Sequence, residues 1–197
     1  LERLAKVKRV TFDKTGTLTV GVPKVVLAQS VVDAYSNQEI YAFAASAEKK
    51  SEHPLGKAII RCFKSDIGEE IADAGEFTMI PSQGVKADIN GRTVCAGNDK
   101  LMMKEKIQIT EQVKNFAKKQ IEKGTSIIYV AVNGTLCGLL ALADSLRDES
   151  ADMIKRLGEI GIVPVLITGD NKEAANQIAG EVGISDVHAN CLPEDKL

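Results

Sequence analysis

Asp13 leaves the strand-like run 7–12 and opens into Lys14-Thr15-Gly16-Thr17-Leu18-Thr19. A carboxylate at the C-terminal tip of a parallel strand sits where open α/β sheets place their chemistry. A lysine, several hydroxyls and a backbone freed by a glycine can hold a phosphate beside it. The chemistry suggested is that of a carboxylate acting on a phosphoryl group, and it needs partners elsewhere in the chain. Thr168-Gly169-Asp170 follows a second apolar strand-like run, 162–167, and offers a hydroxyl and free backbone N–H groups at a helix start. Lys196, after Pro193-Glu194-Asp195, offers a fixed positive charge. Standing alone, an Asp-Lys pair would read as a solvated loop, Thr168-Gly169-Asp170 as a capped strand-to-helix turn and Lys196 as a surface lysine; the full string around Asp13 argues against the first. Asp144-Ser145-Leu146-Arg147 reads as a structural hinge salt bridge in preference to a catalytic pair.

The elements that must position these groups follow from periodicity and punctuation. Residues 25–32 are rich in β-branched side chains and read as a strand. Ser36 or Asn37 caps a helix over 38–50, and Ser51-Glu52-His53-Pro54 breaks it before a second helix over 55–63. Strand-like pieces lie at 77–80, 85–89 and 93–96, the last two joined by Asn90-Gly91, a hairpin signal. Asn98 or Asp99 starts a short helix, and Thr110 caps a longer one over 111–123 that stops at Gly124. A second hairpin turns at Asn133-Gly134, between strands 126–132 and 135–142. From Asp144 the rhythm changes to helix 148–157, strand 162–167, helix 171–182 and a short strand near 187–188, as in a doubly wound parallel sheet. The strand ending at Asp13 has no βα partner beside it in sequence. It is expected to join that C-terminal sheet, with the hairpin-rich region inserted between the two.

Composition narrows the function. The chain has 197 residues, 44% hydrophobic and 26% charged, and a formal net charge of −2. No basic field points to nucleic acid or anionic lipid. The apolar run 139–143 is far below the ~18 residues a membrane helix needs. Four cysteines, Cys62, Cys95, Cys137 and Cys191, are scattered without a C-x-x-C pair and read as free thiols in a reducing compartment. Leu1 stands where an initiator methionine is expected and Leu197 follows a charged string, so a piece of a longer chain is expected.

Asp13-Lys14-Thr15-Gly16-Thr17, Asp144-x-x-Arg147, Thr168-Gly169-Asp170 and Pro193-Glu194-Asp195-Lys196 resemble the phosphorylation-domain motifs of P-type ATPases, ion pumps of the haloacid dehalogenase-like fold. Ser51-Glu52-His53-Pro54-Leu55 is similar to a signature of the heavy-metal (P1B) branch. The resemblance covers essentially the whole chain. It implies an α/β fold: a haloacid dehalogenase-like doubly wound parallel sheet, the phosphorylation domain, from residues 1–20 and 140–197, incomplete at its C-terminus. An α+β antiparallel-sheet nucleotide-binding domain, 21–139, is inserted into it.

The resemblance also implies roles, residue by residue. Asp13 is the nucleophile that takes the γ-phosphate of ATP, and Lys14, Gly169 and Asp170 belong to the same catalytic strings. The Asp13 carboxylate and the Thr15 carbonyl bind Mg²⁺, and Thr168 and Lys196 contact the phosphoryl oxygens. In the insertion, His53 packs near the adenine, Glu48 reads its amino group, and Gly84, Gly97 and Asn98 line the pocket. Glu52 reads as a helix-start charge and His188 as structural. The implied partners are ATP, a transition-metal ion carried by a membrane domain, and the actuator and transmembrane domains of the same polypeptide, with no nucleic acid. The implied location is the cell membrane, with this part on its cytoplasmic side. The strings 1–8 and 96–102 look more like zinc/cadmium/cobalt pumps than copper pumps, and Met102 and Met103 are expected to pack as apolar side chains.

The alternative is a soluble phosphatase or phosphomutase of the same superfamily. Such enzymes carry a second Asp two residues past the nucleophile, where this chain has Thr15, so an acyl phosphate is expected to persist. Two departures stand out. Ser82-Gln83-Gly84 replaces the family's Gly-x-Gly, which predicts weak ATP binding in an altered pose. A Gly-Asp-Gly-x-Asn-Asp motif is expected beyond Leu197. Without it, weak self-phosphorylation and a marginally stable sheet domain are expected.

Overall fold

The computed structural model describes residues 7–170 and 172–191. Strand β1 (Arg9–Asp13) ends in one wide turn, Lys14–Leu18, in which Thr15 is extended and Gly16 has φ 76°. Strand β2 (Thr19–Ser30) leaves that turn directly. Helix α1 (Asn37–Glu48) begins with a capping box: the Ser36 hydroxyl accepts from Glu39 N while the Glu39 carboxylate accepts from Ser36 N. Helix α2 (Pro54–Asp66) has Pro at its start and His53 as its cap. Strands β3 (Phe77–Ile80), β4 (Gly84–Ile89) and β5 (Arg92–Gly97) follow, with Asn90 and Gly91 at φ 53° and 77° in the tight turn between the last two. Asn98 caps helix α3 (Asp99–Lys104), and the Thr110 hydroxyl accepts from Val113 N at the start of helix α4 (Glu111–Glu122). Strands β6 (Ser126–Val132) and β7 (Thr135–Leu146) form the second hairpin. Helix α5 (Ser150–Glu159), strand β8 (Val163–Ile167), helix α6 (Lys172–Val182) and strand β9 (Asp186–His188) complete the order.

The chain divides into two compact units. The first holds Leu1–Val22, Ile121–Thr125 and Asp144–Leu197, and the second holds Pro23–Gln120 and Ser126–Ala143. In the first, the described strands form a parallel sheet in the order β1-β8-β9. Segments 154 positions apart in the chain (163 − 9) therefore do meet: β1 pairs with β8 from Arg9 opposite Val163 to Asp13 opposite Ile167. Phe12, Leu18, Ile154, Leu166, Ala179, Val182 and Ile184 form its core. Leu18 and Leu166 are fully buried, and each such side chain contributes ~1.5–3 kcal/mol. The Leu18 anchor pins the end of the turn that begins at Lys14.

The second unit is a six-stranded sheet in the order β2-β7-β6-β5-β4-β3 with a core on each face. The alternation of a strand sorts the side chains. Ile128, Val130 and Val132 of β6 join Val94 and Ala96 of β5 under α1 and α2. Tyr129 and Ala131, with Cys95, face the opposite way toward Leu101, Met102 and Val113. The β6–β7 register shifts between Val130 and Ala131, so Cys137 and Leu139 fall into different cores although two residues apart.

Several expectations need correction. Strand β2 begins at Thr19, six residues earlier than its β-branched run suggests, and β7 continues to Leu146. Gly21 and Pro23 do not interrupt β2 because it is an edge strand, where a missing N–H costs no ladder bond. The unit boundaries at Val22/Pro23 and Ala143/Asp144 thus fall inside β2 and β7. Met102 is fully buried, but Met103 is 78% exposed, since the next helical position points about 100° away. All four cysteines are free thiols.

Candidate active site

The in-register pairing of β1 with β8 places Asp13 level with Ile167, one residue before Thr168, at the same sheet rim. Lys14 N donates to the Asp13 carboxylate at 3.0 Å, and Lys14 Nζ lies 2.5 Å from Asp170 Oδ2 in a half-buried ion pair. The structure therefore joins the two strings through a fixed positive charge. Thr168 is 2% exposed, and its hydroxyl accepts from Asp170 N at 3.2 Å. Its N–H donates to the His188 carbonyl and its own carbonyl accepts from Cys191 N, while Asn190 N donates to the Asp170 carbonyl. The turn after β8 is thus laced to the segment after β9. A Cβ on Gly169 would stand 3.3 Å from the Cys191 carbonyl, which leaves little room there. Lys196 and the Pro193-Glu194-Asp195 string lie outside the described residues. His188 faces Asp186 at 3.2 Å, in keeping with a structural role.

Asp144 and Arg147 act on the turn that follows Asp13, where the sequence suggested a salt bridge between the two. Asp144 Oδ2 accepts from the buried Thr19 hydroxyl at 2.5 Å and Oδ1 accepts from Gly21 N at 3.0 Å. Arg147 donates from Nη2 to the Gly16 carbonyl and from Nε to the Thr17 carbonyl, both at 3.1 Å. Thr19, one of the loop hydroxyls, and Ser150, which donates to the Leu18 carbonyl at 2.8 Å, complete this set; Ser150 carried no signal in sequence.

In the second unit the site residues fall into two clusters. At the α1–α2 junction, Glu48 is 4% exposed and its Oε2 has no partner. Burial pushes its carboxyl up from the ordinary range, partly offset by the Ser51 hydroxyl. A Cβ on Gly56 would lie 2.4 Å from that same oxygen, so the carboxyl occupies the space a side chain would take. His53 Nδ1 accepts from Leu55 N at 3.2 Å as the helix cap. Glu52 pairs with Lys57 at 2.5 Å, consistent with a surface charge at the helix start.

The second cluster joins β4, β5 and α3. Gly84 and Gly97 are register partners, and a Cβ on either would meet backbone at 2.2 Å. Asn98 Oδ1 accepts from Leu101 N, Asn98 Nδ2 donates to the Ser82 carbonyl, and Asn98 N donates to the Gln83 carbonyl. Ser82 holds φ 60°, the left-handed region a glycine occupies without strain. Gln83 Oε1 is buried without a partner. The two clusters share one unit, and α1 packs on both β4 and β5.

A scan of protein families matches residues 7–197 to the haloacid dehalogenase-like hydrolases. The chain belongs to the haloacid dehalogenase-like hydrolases. Within this family it is 38% identical over its whole length to "Copper-transporting ATPase HMA4" of Oryza sativa subsp. japonica, spanning 21% of that protein. It is 34% identical, again over its whole length, to "Cadmium-transporting ATPase" of Staphylococcus aureus, spanning 28% of it. Among solved structures it resembles a zinc-transporting PIB-type ATPase in an E2.Pi state, with a TM-score of 0.84 and 34% identity, covering 99% of this chain and 31% of that one. The chain thus spans about a quarter of the relatives it matches. The fold expected of this hydrolase family, a parallel sheet bearing a separate antiparallel-sheet insertion, is the one observed.

Proposed function

We propose that this chain is the ATP-binding and aspartyl-phosphorylated portion of an ATP-driven transition-metal transporter. The observation that carries this is the rim where Asp13 and Thr168-Gly169-Asp170 end neighbouring parallel strands, bridged by Lys14. A carboxylate oxygen of Asp13 attacks the γ-phosphorus of ATP. The bond from that phosphorus to the β-bridging oxygen breaks, and ADP leaves with the electron pair. Lys14 and the buried Thr168 hydroxyl stabilise charge on the transferring oxygens. Lys196 is assigned the same duty. Thr15 is exposed and offers no carboxylate to activate water, which supports a lasting acyl phosphate over a phosphatase.

Mg²⁺ fits the donor chemistry of the rim. Asp13 and Asp170 supply hard carboxylate oxygens, and the described residues contain no group of three or more His, Cys, Asp or Glu that forms a metal cage of its own. An ion of this kind is held by one or two carboxylates plus substrate phosphates. The Asp13 carboxylate and the Thr15 carbonyl would hold it, and when bound it supplies positive charge to the phosphoryl oxygens.

In the proposed division of labour, residues 21–139 form the nucleotide-binding domain and residues 1–20 and 140–197 the phosphorylation domain. Glu48 Oε2, buried and unpaired, supports the adenine assignment, because an amino-group donor would satisfy it. ATP titration is expected to perturb the NMR signals of Glu48, His53, Gly84 and Asn98. Shifts clustered elsewhere, or no binding at millimolar ATP, would reject these residues as the nucleotide site. The actuator and transmembrane domains are assigned to the rest of the polypeptide, at the membrane. Among the described residues no helix is long and apolar enough to cross one. The cargo is proposed as a transition-metal cation. The named relatives divide between copper and cadmium, and a zinc/cadmium/cobalt preference is supported by the strings 1–8 and 96–102 alone.

Glu48 carries a stability prediction of its own. Its folded-state affinity for a proton exceeds that of the unfolded chain, so ionisation opposes folding. The penalty is absent below the ordinary Glu range, grows as pH rises through it, and is complete above the raised folded value. Glu48→Gln is therefore expected to raise Tm relative to wild type at pH 7 by more than at pH 4 while weakening ATP binding. A Tm difference independent of pH would contradict ionisation as the cause.

A further inference from the structure

The turn after Asp13 has no regular repeat to hold it. Thr15 is extended and Gly16 is left-handed within five residues. A bond from Thr19 N to the Lys14 carbonyl closes it, and residues far along the chain hold the carbonyls between. Besides the two carbonyls taken by Arg147, the Leu18 carbonyl accepts from Arg147 N at 2.9 Å and from the buried Ser150 hydroxyl at 2.8 Å. The Thr19 hydroxyl, anchored on Asp144, in turn accepts from Gly16 N at 3.2 Å. Asp144 also draws in Gly21, and a Cβ there would stand 3.2 Å from Gly16 Cα, so the departing strand lies directly against the turn. The carbonyls of Gly16, Thr17 and Leu18 are all engaged by Arg147 or Ser150, and none of these bonds goes to the carbonyl of Thr15.

We propose that Arg147 and Asp144 are positioning residues for phosphoryl transfer, holding the turn so that the Asp13 carboxylate addresses the phosphoryl group while the Thr15 carbonyl would hold Mg²⁺ beside it. This rests on the phosphorylation reading above. Two properties of the set favour positioning over plain stabilisation. The guanidinium is used as a fork across consecutive carbonyls, a geometry lysine's single ammonium cannot reproduce. The Asp144 carboxylate likewise bridges two points of the departing backbone, through Thr19 and at Gly21, and so sets the angle at which β2 leaves the turn. A displacement near 1 Å at a reacting group costs about 10²-fold in rate, so a clamp of this kind acts on the transfer step more than on substrate affinity.

The test uses the full-length protein with Arg147→Ala, Arg147→Lys and Asp13→Asn. For Arg147→Ala the rate of phosphoenzyme formation at saturating ATP is expected to fall by about 10²-fold. Half-saturating ATP should stay within about twofold, as for an interaction made in the transition state. Amide hydrogen exchange at residues 16–19 should quicken without nucleotide, and Arg147→Lys should recover part of both effects. Wild-type rate in Arg147→Ala, or unchanged exchange in the turn, overturns the proposal. So does a loss of rate and ATP affinity in parallel, with Arg147→Lys no better than Ala. If Arg147→Ala does not fold, Arg147→Lys alone decides, since wild-type rate and exchange there also overturn it. Persistence of the phosphoenzyme in Asp13→Asn refutes the functional reading itself and is separate from these outcomes.

Discussion

Asp13→Asn is expected to abolish the acid-stable phosphoenzyme proposed for the full-length protein and to leave ATP binding intact. A carboxamide oxygen is a poor nucleophile, and its attack on phosphorus would give no stable acyl phosphate, so the loss is expected to reach the detection limit. The substitution is nearly isosteric. Its side-chain oxygen can still accept from Lys14 N, and β1 keeps its register against β8. The proposed nucleotide residues, Glu48 to Asn98, all belong to the other unit. Acid-quenched labelling from γ-labelled ATP, alongside nucleotide titration, reads the two properties separately. Label retained in the variant would remove Asp13 from its role. Loss of ATP binding together with label would mean that the substitution disturbs more than the reacting group.

The largest expected effect on stability lies at Gly84 and Gly97. These residues pair across β4 and β5, and the Cβ added at Gly97 would sit 2.2 Å from the Gln83 carbonyl and 2.9 Å from Gly84 Cα. Gly84 also holds φ 145° and would place its Cβ 2.2 Å from the Ala96 carbonyl. The obstacles are backbone, which cannot rotate aside. Overpacking of this sort costs ~1–3 kcal/mol and more where backbone must shift. Gly84→Ala and Gly97→Ala are therefore expected each to cost the second unit about 3 kcal/mol, measured by denaturant unfolding. Gly180→Ala is the control: it lies in α6 with nothing within 4 Å of its Cβ, and should be neutral or stabilising by ~0.5–1 kcal/mol. Equal behaviour of all three would mean that the close approach of β4 and β5 is not what requires glycine. Part of any loss of ATP binding on changing these glycines is thus expected to come from the sheet beneath the proposed site.

Local chemistry was the legible part of the sequence. Asn90-Gly91, Asn133-Gly134, Ser36 and Thr110 act through bonds a few residues long, and each turn or cap stands where its residue type predicts. Asp13 at a strand tip was legible because an apolar run followed by a polar glycine loop has few other solutions. The recruitment of β1 to the C-terminal sheet followed from the lack of a βα partner nearby, and the pairing with β8 bears it out. What escaped was set by distant partners. Gly21 and Pro23 look like strand breakers until the edge position of β2 is known. Nothing near Arg147 says that its acceptors are the carbonyls of Gly16 and Thr17. Gly56 looks ordinary until the Glu48 carboxyl is found over it, and the two faces of α3 could not tell Met102 from Met103 without the sheet in place.

The burial of Cys62, Cys95 and Cys137 in the second unit has a consequence under the proposed transport function. Soft cations bind thiolates, and the thiol must first lose its proton. Burial pushes the Cys95 and Cys137 thiols up, away from ionisation at neutral pH. If the unit serves the transporter proposed above, the Cys95 and Cys137 thiols, protonated and sealed in opposite cores, leave a passing cation little sulfur there to capture.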